Sequence, residues 1–270
     1  MAQGKFHLAT VRPRIDLLGN VAYAQHDVLF DWHRFEIPRG GCSIKSFNMI
    51  VAGLDGAARA AKDMELFFAK SVNGVAPPSL GNPNSDSRVK VNFTACRTHM
   101  IAHKLLDGSA MENSDTYTLS YNMWDQTVVG DQVQNQLQPG GIMLQGDTNY
   151  PGTTQGYQSV WIAAVAMGAF TFGTGVLLNQ ASDQLPSSNA AQPPGPVALV
   201  TDGVDADDVF AVGDEIMSYL DANGATPGVV GTVIAVAPNL LTVDKVTAGF
   251  ADDSELCFRG PIQFNFGLEY

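Results

Sequence analysis

Charge is scarce in this chain of 270 residues. Asp, Glu, Lys and Arg account for 16% of the sequence, against about a quarter in typical soluble proteins. Hydrophobic residues reach 45%, which is ample for a core. The polar surface must therefore consist largely of uncharged side chains, which are cheap to desolvate against another protein. A high strand content would give the same composition, because Lys and Glu are depleted in strands; both explanations stay open here.

Basic residues are scarcest near the C-terminal end. Residues 1–195 carry 15 acids and 13 bases, whereas residues 196–260 carry 11 acids and two bases, Lys245 and Arg259. The net charge of −12 argues against direct binding to nucleic acid, which is itself a polyanion. The abrupt change in charge predicts a module boundary near position 196.

Cysteines are few, and no targeting segment is evident. Cys42, Cys96 and Cys257 form no CxxC or metal spacing, and their odd number argues against a disulfide framework. We predict that they are core residues of a protein assembled in a reducing compartment. The first ten residues lack the apolar stretch of a secretory signal. Residues 160–178 are long and uncharged enough for a membrane helix, but their glycines and alternation favour buried strands with a break near Gly168.

Catalytic motifs are also missing. The sequence contains no GxSxG nucleophile motif and no phosphate-binding loop. His99 and His103 have the spacing of a helical metal site, but Met100 stands where HExxH has its glutamate. Asp214 and Glu215 are adjacent, so a strand would direct them to opposite faces and separate them for acid–base work. We predict that the chain is not an enzyme and needs no cofactor.

Acidic residues cluster at two points of the C-terminal module, at 202–208 and at 252–255. Oxygen ligands at such spacing can bind Ca²⁺, and the candidate ligands are Asp205, Asp207 and Asp208. The order of ligands in an EF-hand is absent. A solvated acidic loop is therefore the favoured interpretation, and we predict no metal site.

Alternation of apolar and polar residues with a period of two, typical of half-buried antiparallel strands, recurs along the chain. It is clearest at 88–96, 116–123 and 262–270. In the last segment the side chains expected to face inward are Ile262, Phe264, Phe266, Leu268 and Tyr270. Further strands are predicted at 28–37, 43–51, 64–69, 209–219, 229–237, 240–243 and 255–259. Helix signals are limited to 56–62 and to 98–106, where a short helix and a strand are both open.

These elements predict an all-β fold. Residues 1–195 should form an antiparallel β-sandwich of jelly-roll type. The composition of 182–202 predicts a linker, followed by a small acidic β-barrel-like module at 196–260. Residues 261–270 are aromatic and poor in charge, so we expect a closing strand that returns to the first domain and protects a sheet edge.

Three segments carry a family resemblance. Residues 12–41, 62–71 and 172–180, together with the closing FGLEY, resemble virion structural proteins of tailed phages, especially marine and cyanobacterial ones. The resemblance implies a β-sandwich bound in many copies to a capsid lattice, with trimers as one arrangement. It carries no functional residues, because no defined motif matches.

The leading hypothesis is a capsid decoration or cement subunit in the virion, assembled in the host cytoplasm, with copies of itself and capsid or other virion proteins as partners. It predicts contact with neither nucleic acid nor membrane. The alternatives are a tail, baseplate or fibre component, a carbohydrate- or receptor-binding module, and a hydrolase. A sugar platform would draw on Trp32, Trp124 and Trp161, of which only Trp124 is expected to be exposed.

Overall fold

The computed structural model describes residues 5–15, 23–52, 63–82, 94–108, 112–113, 118–124, 142–169, 172, 176–177, 195–201, 205–219, 228–245 and 255–270. Their regular structure is almost entirely β, apart from short helical turns at 94–96 and at Ala206–Val209 (α1). Every strand pair among them is antiparallel. No helix in this part of the chain is long and apolar enough to cross a membrane. The all-β prediction is confirmed.

The strands of the described residues form three sheets. In chain order they are β1 (Phe6–Val11), β2 (Val28–Pro38), β3 (Cys42–Ala52), β4 (Met64–Lys70), β5 (Met100–Leu106), β6 (Glu112–Asn113), β7 (Thr118–Trp124), β8 (Ile142–Leu144), β9 (Tyr157–Ala166), β10 (Val176–Leu177), β11 (Val197–Val200), β12 (Glu215–Tyr219), β13 (Gly228–Ala237), β14 (Leu240–Val243), β15 (Glu255–Phe258) and β16 (Ile262–Glu269). The first sheet has the order β1-β16-β3-β7-β6, with β8 also on β3. The second is β2-β9-β4-β5, and the third is β10-β15-β12-β13-β14-β11.

The first two sheets pack face to face through phenylalanine side chains. Strand β16 alternates buried and half-buried residues along its whole length, so Phe264 and Phe266 both enter the core. Phe30 of the second sheet lies 6.0 Å from Phe264, and Phe35 stacks on Phe266 at 5.6 Å between ring centroids. Phe68 meets Phe266 edge-on at 5.8 Å. These contacts form the interior of a β-sandwich; the jelly-roll assignment stays a prediction.

The third sheet contains most of the acidic region, and its hydrophobic side chains join the same core cluster. Closure of a barrel would require its end strands, β10 and β11, to pair. In the described residues β10 pairs with β15 and β11 pairs with β14. This part of the chain therefore forms an open sheet there, where the sequence predicted barrel-like closure.

Most predicted strands are confirmed. The segments 28–37, 43–51, 64–69, 229–237 and 240–243 correspond to β2, β3, β4, β13 and β14, and residues 255–258 form β15. The ambiguous segment 98–106 contains strand β5. The long uncharged segment forms the buried strand β9, a bend at Met167–Gly168 and the short strand β10. Residues 53–62, 83–93 and 114–117 lie outside the described part, so the helix signal at 56–62 and most of the strand at 88–96 are not addressed.

Four details differ from prediction. Residues 94–96 form a helical turn and not a strand end. The predicted strand at 209–219 begins only at Glu215, because α1 and a turn precede it. Val197–Val200 is a strand and not a linker, because it pairs with β14 and buries Leu199; residues 178–194 lie outside the described part. Tyr270 follows the end of β16 and is 44% exposed, since the sandwich interior ends at Leu268.

Candidate functional site

The side of the first sheet that faces away from the second sheet is called the open face here. Cross-strand partners share a face of a sheet, so the register places its residues in rows. One row is Phe6, Glu269, Ser43 and Met143, contributed by β1, β16, β3 and β8. The next described rows are Leu8, Gly267 and Ser46, then Thr10, Asn265 and Asn48, then Gln263 and Ile50. All but Ser43 are partly or fully exposed.

The centre of the open face is a ladder of uncharged polar side chains. Thr10 Oγ1 donates to Asn265 Oδ1 at 2.9 Å, and Asn265 Nδ2 donates to Asn48 Oδ1 at 3.1 Å. Gln263 Nε2 donates to the same Asn265 oxygen at 3.3 Å. The ladder crosses β1, β16 and β3. Side chains held in place in this way would lose less conformational entropy if another protein covered them.

Large apolar side chains flank the ladder at the start of β1 and on β8. Phe6 is 74% exposed, Leu8 67% and Met143 67%. The charged side chains described at this face are Lys45 and Glu269. They form an ion pair, with 3.5 Å between Lys45 Nζ and Glu269 Oε2. The described side chains of the open face thus combine exposed apolar area with polar groups and one ion pair, and the register adds Glu112 of β6 to the row of Ile50. Few hydrated ions would be displaced if another protein covered this face.

The opposite side of the sandwich is covered by the chain itself. Outward-facing residues of the second sheet pack against Leu80 and Cys96, both fully buried, to form a smaller hydrophobic cluster. Trp32 Nε1 donates to the carbonyl of Pro78 at 2.8 Å, and Leu80 N donates to Asp31 Oδ1 at 3.0 Å. The two faces of the sandwich therefore differ: the second sheet is covered from within the chain, whereas the open face keeps its side chains exposed.

A polar cavity of about 400 Å³ lies at one end of the sandwich, lined by Lys70, Ser71, Val72, Asn73, Thr98, Gly146, Asp147 and Asn149. Asp147 Oδ2 accepts from Ser71 Oγ at 2.7 Å and from Gly74 N at 3.2 Å, while Oδ1 accepts from Asn149 N at 2.8 Å. Burial alone would raise the pKa of Asp147, but these bonds and the charge of Lys70 outweigh it and lower the pKa. The carboxylate is thus ionised at neutral pH, and its hydrogen bonds connect the loop at residues 71–74 with the loop at residues 146–149.

A second polar group lies where the N-terminal segment meets the third sheet. Arg12 Nη1 lies 2.7 Å from Asp214 Oδ1, and Asp214 is 3% exposed. Arg14 and Arg259 pair with the two carboxylate oxygens of Glu215, each at 2.9 Å. Asp214 and Glu215 therefore have different partners, but Asp214 lies before β12 begins, so the alternation expected within a strand does not apply to this pair. Arg12 and Arg14 thus tie the acidic region to the segment that follows β1.

The calcium candidates lie at the surface of the third sheet's region. Asp205 is the N-cap of α1 without a side-chain capping bond, and Asp207 and Asp208 are exposed in its first turn. Asp202 and residues 251–254 lie outside the described part. Among the described residues, no group of three or more His, Cys, Asp or Glu is placed to hold a metal ion. The structure thus does not bring these three carboxylates together with a further ligand.

The remaining candidates have local packing partners. His99 Nδ1 lies 3.0 Å from the carbonyl of Lys70, and His103 Nδ1 lies 2.8 Å from Glu65 Oε1. Neither histidine lies on a helix, because strand β5 begins at Met100. The three cysteines are buried and form no disulfide, and burial raises the pKa of the Cys42 thiol to about 11.

Two of the three tryptophans are used in packing. Trp161 is 4% exposed and meets the Tyr150 ring edge-on, with 4.7 Å between centroids. Trp32 is bonded to Pro78, as described above. Trp124 is paired with Ser46 in the first sheet, and its side chain is outside the described part. Trp32 and Trp161 therefore do not present a sugar-binding platform.

Comparison with known proteins gives only weak structural similarity. No protein-family model and no curated protein matches the sequence. The solved structures include the major capsid protein P2 from bacteriophage PM2, which is 12% identical over 97% of this chain and 96% of that chain, with a TM-score of 0.15. At this score the two chains do not superpose as whole folds. The similarity to a phage capsid protein is weak and assigns neither tailed-phage origin nor a decoration role.

Sequence reasoning missed strand β1, which supplies two of the three large apolar residues that are most exposed among the described residues of the open face. Its apolar residues fall on both faces: Phe6 and Leu8 point out, while Ala9 and Val11 are buried. This removes the contrast on which a period-two search depends. The available signal was a run of six residues, FHLATV, without Asp, Glu, Lys or Arg.

Proposed function

We propose that this chain is a non-enzymatic virion structural subunit of the decoration or cement type. In this role many copies bind a protein shell, and the contacts between subunits stabilise the assembled state over the free one. The observation that carries the proposal is the open face, because its described side chains combine exposed apolar groups, an ordered polar ladder and a single ion pair. It fits a surface that is covered by protein.

The charge distribution supports one orientation on the shell. Residues 196–260 hold 11 acids against two bases, whereas the described side chains of the open face carry one paired Lys and Glu. A strongly acidic surface resists contact with other acidic particles, which keeps them in suspension. We infer that the open face is directed toward the shell and the acidic region toward solvent.

The open face allows a direct test by substitution. Met143→Glu places an unpaired charge at an exposed position of that face. If Met143 is covered by the shell, burying the charge should weaken retention on shells of the virus that encodes the chain. We expect a loss of about tenfold or more, as for a residue whose interface contribution exceeds about 1.4 kcal/mol. Co-sedimentation of purified chain with shells measures it.

The matched control is Val212→Glu in the acidic region. Val212 is 66% exposed, nearly the same as Met143, so both substitutions add one charge at an exposed apolar position. Val212→Glu should bind shells like the unmodified chain. Equal binding by all three proteins would contradict the assignment of the open face, and absence of any binding would contradict the proposed function.

A further inference from the structure

Strand β1 forms an edge of the first sheet, and its own six residues carry none of the usual protection of edges. It pairs with β16 on one side, and no described strand pairs with its other side. Exposed edges are commonly protected by charged residues, proline or bulges. The six residues of β1, FHLATV, include no proline and no Asp, Glu, Lys or Arg, and the register between β1 and β16 is unbroken.

The direction of the backbone groups follows from one hydrogen-bonded pair. Lys5 N donates to Tyr270 O at 3.2 Å, and Tyr270 N donates to Lys5 O at 3.0 Å. Hydrogen-bonded and non-bonded pairs alternate along an antiparallel ladder. His7, Ala9 and Val11 therefore bond to β16 like Lys5. Phe6, Leu8 and Thr10 direct their N–H and C=O groups to the other side, where strand addition would occur.

We propose that this edge pairs antiparallel with β1 of a second copy, across a two-fold axis at Leu8. In that register Leu8 faces Leu8 of the other copy, and Phe6 faces its Thr10, so all three outward residues on each strand form hydrogen-bonded pairs. A contact of this kind is self-complementary, as a two-fold axis requires. Cross-strand neighbours on the open face would then be apolar or uncharged, which suits a β-sheet contact.

Charge favours a second copy at this edge over most other surfaces of the molecule. Two chains of net charge −12 repel each other over their acidic regions, but β1 itself carries no Asp or Glu. Pairing would join two first sheets into one and place their open faces side by side. The inference deepens the proposed function and rests on it for its purpose, because a joined open face offers a shell twice the contact surface.

Hydrogen exchange of the full chain tests the backbone part of the proposal. The amides of Phe6, Leu8 and Thr10 should exchange more slowly as the concentration of the chain rises toward the millimolar range. Copies held next to each other on one shell would have an effective concentration of this order. The amides of His7 and Ala9, already bonded to β16, should show a smaller change. Fast exchange of Phe6, Leu8 and Thr10 at every concentration would overturn the pairing. Protection independent of concentration would also overturn it, because the chain itself would then cover the edge.

Charge substitution at Leu8 tests the register. The unmodified chain should reach twice its mass of 28.7 kDa by sedimentation at high concentration. Leu8→Glu alone and Leu8→Lys alone should each remain at the single-chain mass, because like charges face each other at the axis. Their equimolar mixture should regain the double mass, because Glu then faces Lys. Val212→Glu is the control and should dimerise normally.

These outcomes separate the inference from the proposed function. A double mass that survives Leu8→Glu, or a mixture that does not recover it, would overturn the contact at Leu8. Shell binding is measured separately, by co-sedimentation. Dimerisation as described without any shell binding would refute the shell role alone, whereas shell binding by a chain that stays at single mass would refute the β1 pairing alone.

Discussion

Gly146 illustrates how a single residue fixes the approach of a loop to the sandwich. A Cβ at this position would meet the carbonyl oxygen of Ser159 and lie 2.9 Å from its carbonyl carbon. Both are backbone atoms of β9 and cannot rotate away. The loop that carries Asp147 therefore reaches β9 only because residue 146 has no side chain.

Gly146→Ala should lower the free energy of unfolding by about 1–3 kcal/mol, the range for overpacking a well-packed site. Gly168→Ala is the matched control, since nothing lies within 4 Å of a Cβ added there. It should change stability by less than about 0.5 kcal/mol. Urea denaturation measures both, and equal midpoints for the two variants would contradict the close approach at Ser159.

Asp147, in the same loop, makes the stability of the fold depend on pH. Its pKa lies below the 3.8 of an ordinary aspartate, because its hydrogen bonds outweigh the opposing effect of burial. A carboxyl with a lowered native pKa stabilises the fold fully above its unfolded value and loses that contribution as the pH falls through the native value. The contribution of Asp147 should thus be complete at neutral pH and disappear in acid below about pH 4.

Asp147→Asn should therefore destabilise the chain at pH 7 by about 1–3 kcal/mol, as expected when hydrogen bonds to a charged group are lost. The difference from the unmodified chain should shrink as the pH falls below about 4. Denaturation midpoints across a pH series measure this. Asp208→Asn, at an exposed residue of α1, is the control and should have little effect. A difference independent of pH would refute the role of the carboxylate charge.

At the scale of elements, residues 12–15 form a strap between the sandwich and the third sheet. Arg12 Nε donates to the carbonyl of Gly260 at 2.7 Å, and Ile15 N donates to the carbonyl of Arg259 at 2.8 Å. The contact of Arg12 with Asp214 adds a charge pair to these backbone bonds. The strap thus runs beside the chain just before β16 begins.

Arg12→Gln should lower the free energy of unfolding by about 1–2 kcal/mol, because it leaves the buried carboxylate of Asp214 without its charged partner. The loss should not be larger, because the arginine is half-exposed and solvent screens the pair. The loss should be smaller in high salt, where screening already weakens the pair in the unmodified chain. Arg39→Gln, at another exposed arginine, should be neutral. Urea denaturation at low and high salt measures these effects; an unchanged Arg12→Gln protein at low salt would show that the pair contributes nothing.

Local pattern decided which elements were predictable. Strand β16 was clear, because its buried Ile262, Phe264, Phe266 and Leu268 alternate with polar or small residues. Strand β1 was missed, because its exposed face is also apolar. The pair of Arg12 with Asp214 joins residues about 200 positions apart, and no local signal encodes such a contact. The open face was therefore predictable in its low charge but not in the residues that form it.

At the scale of the whole molecule, the two outer sides of the sandwich differ in what covers them. The second sheet is covered by the chain around Leu80 and Cys96, whereas the open face presents Phe6, Leu8 and Met143 to the surroundings. Large exposed apolar side chains on one face of a sheet favour a role for that face in an interaction. The central claim is that this surface binds and stabilises a shell.

The most direct test is the disruption temperature of purified shells measured while the chain is added in increasing amounts. Ligands that bind only the assembled state stabilise it by mass action. We predict that the disruption temperature rises and then levels off when a fixed number of chains is bound to each shell, and that Met143→Glu shifts this saturation to higher concentration. A shell whose disruption temperature stays constant at every concentration of the chain would contradict the account.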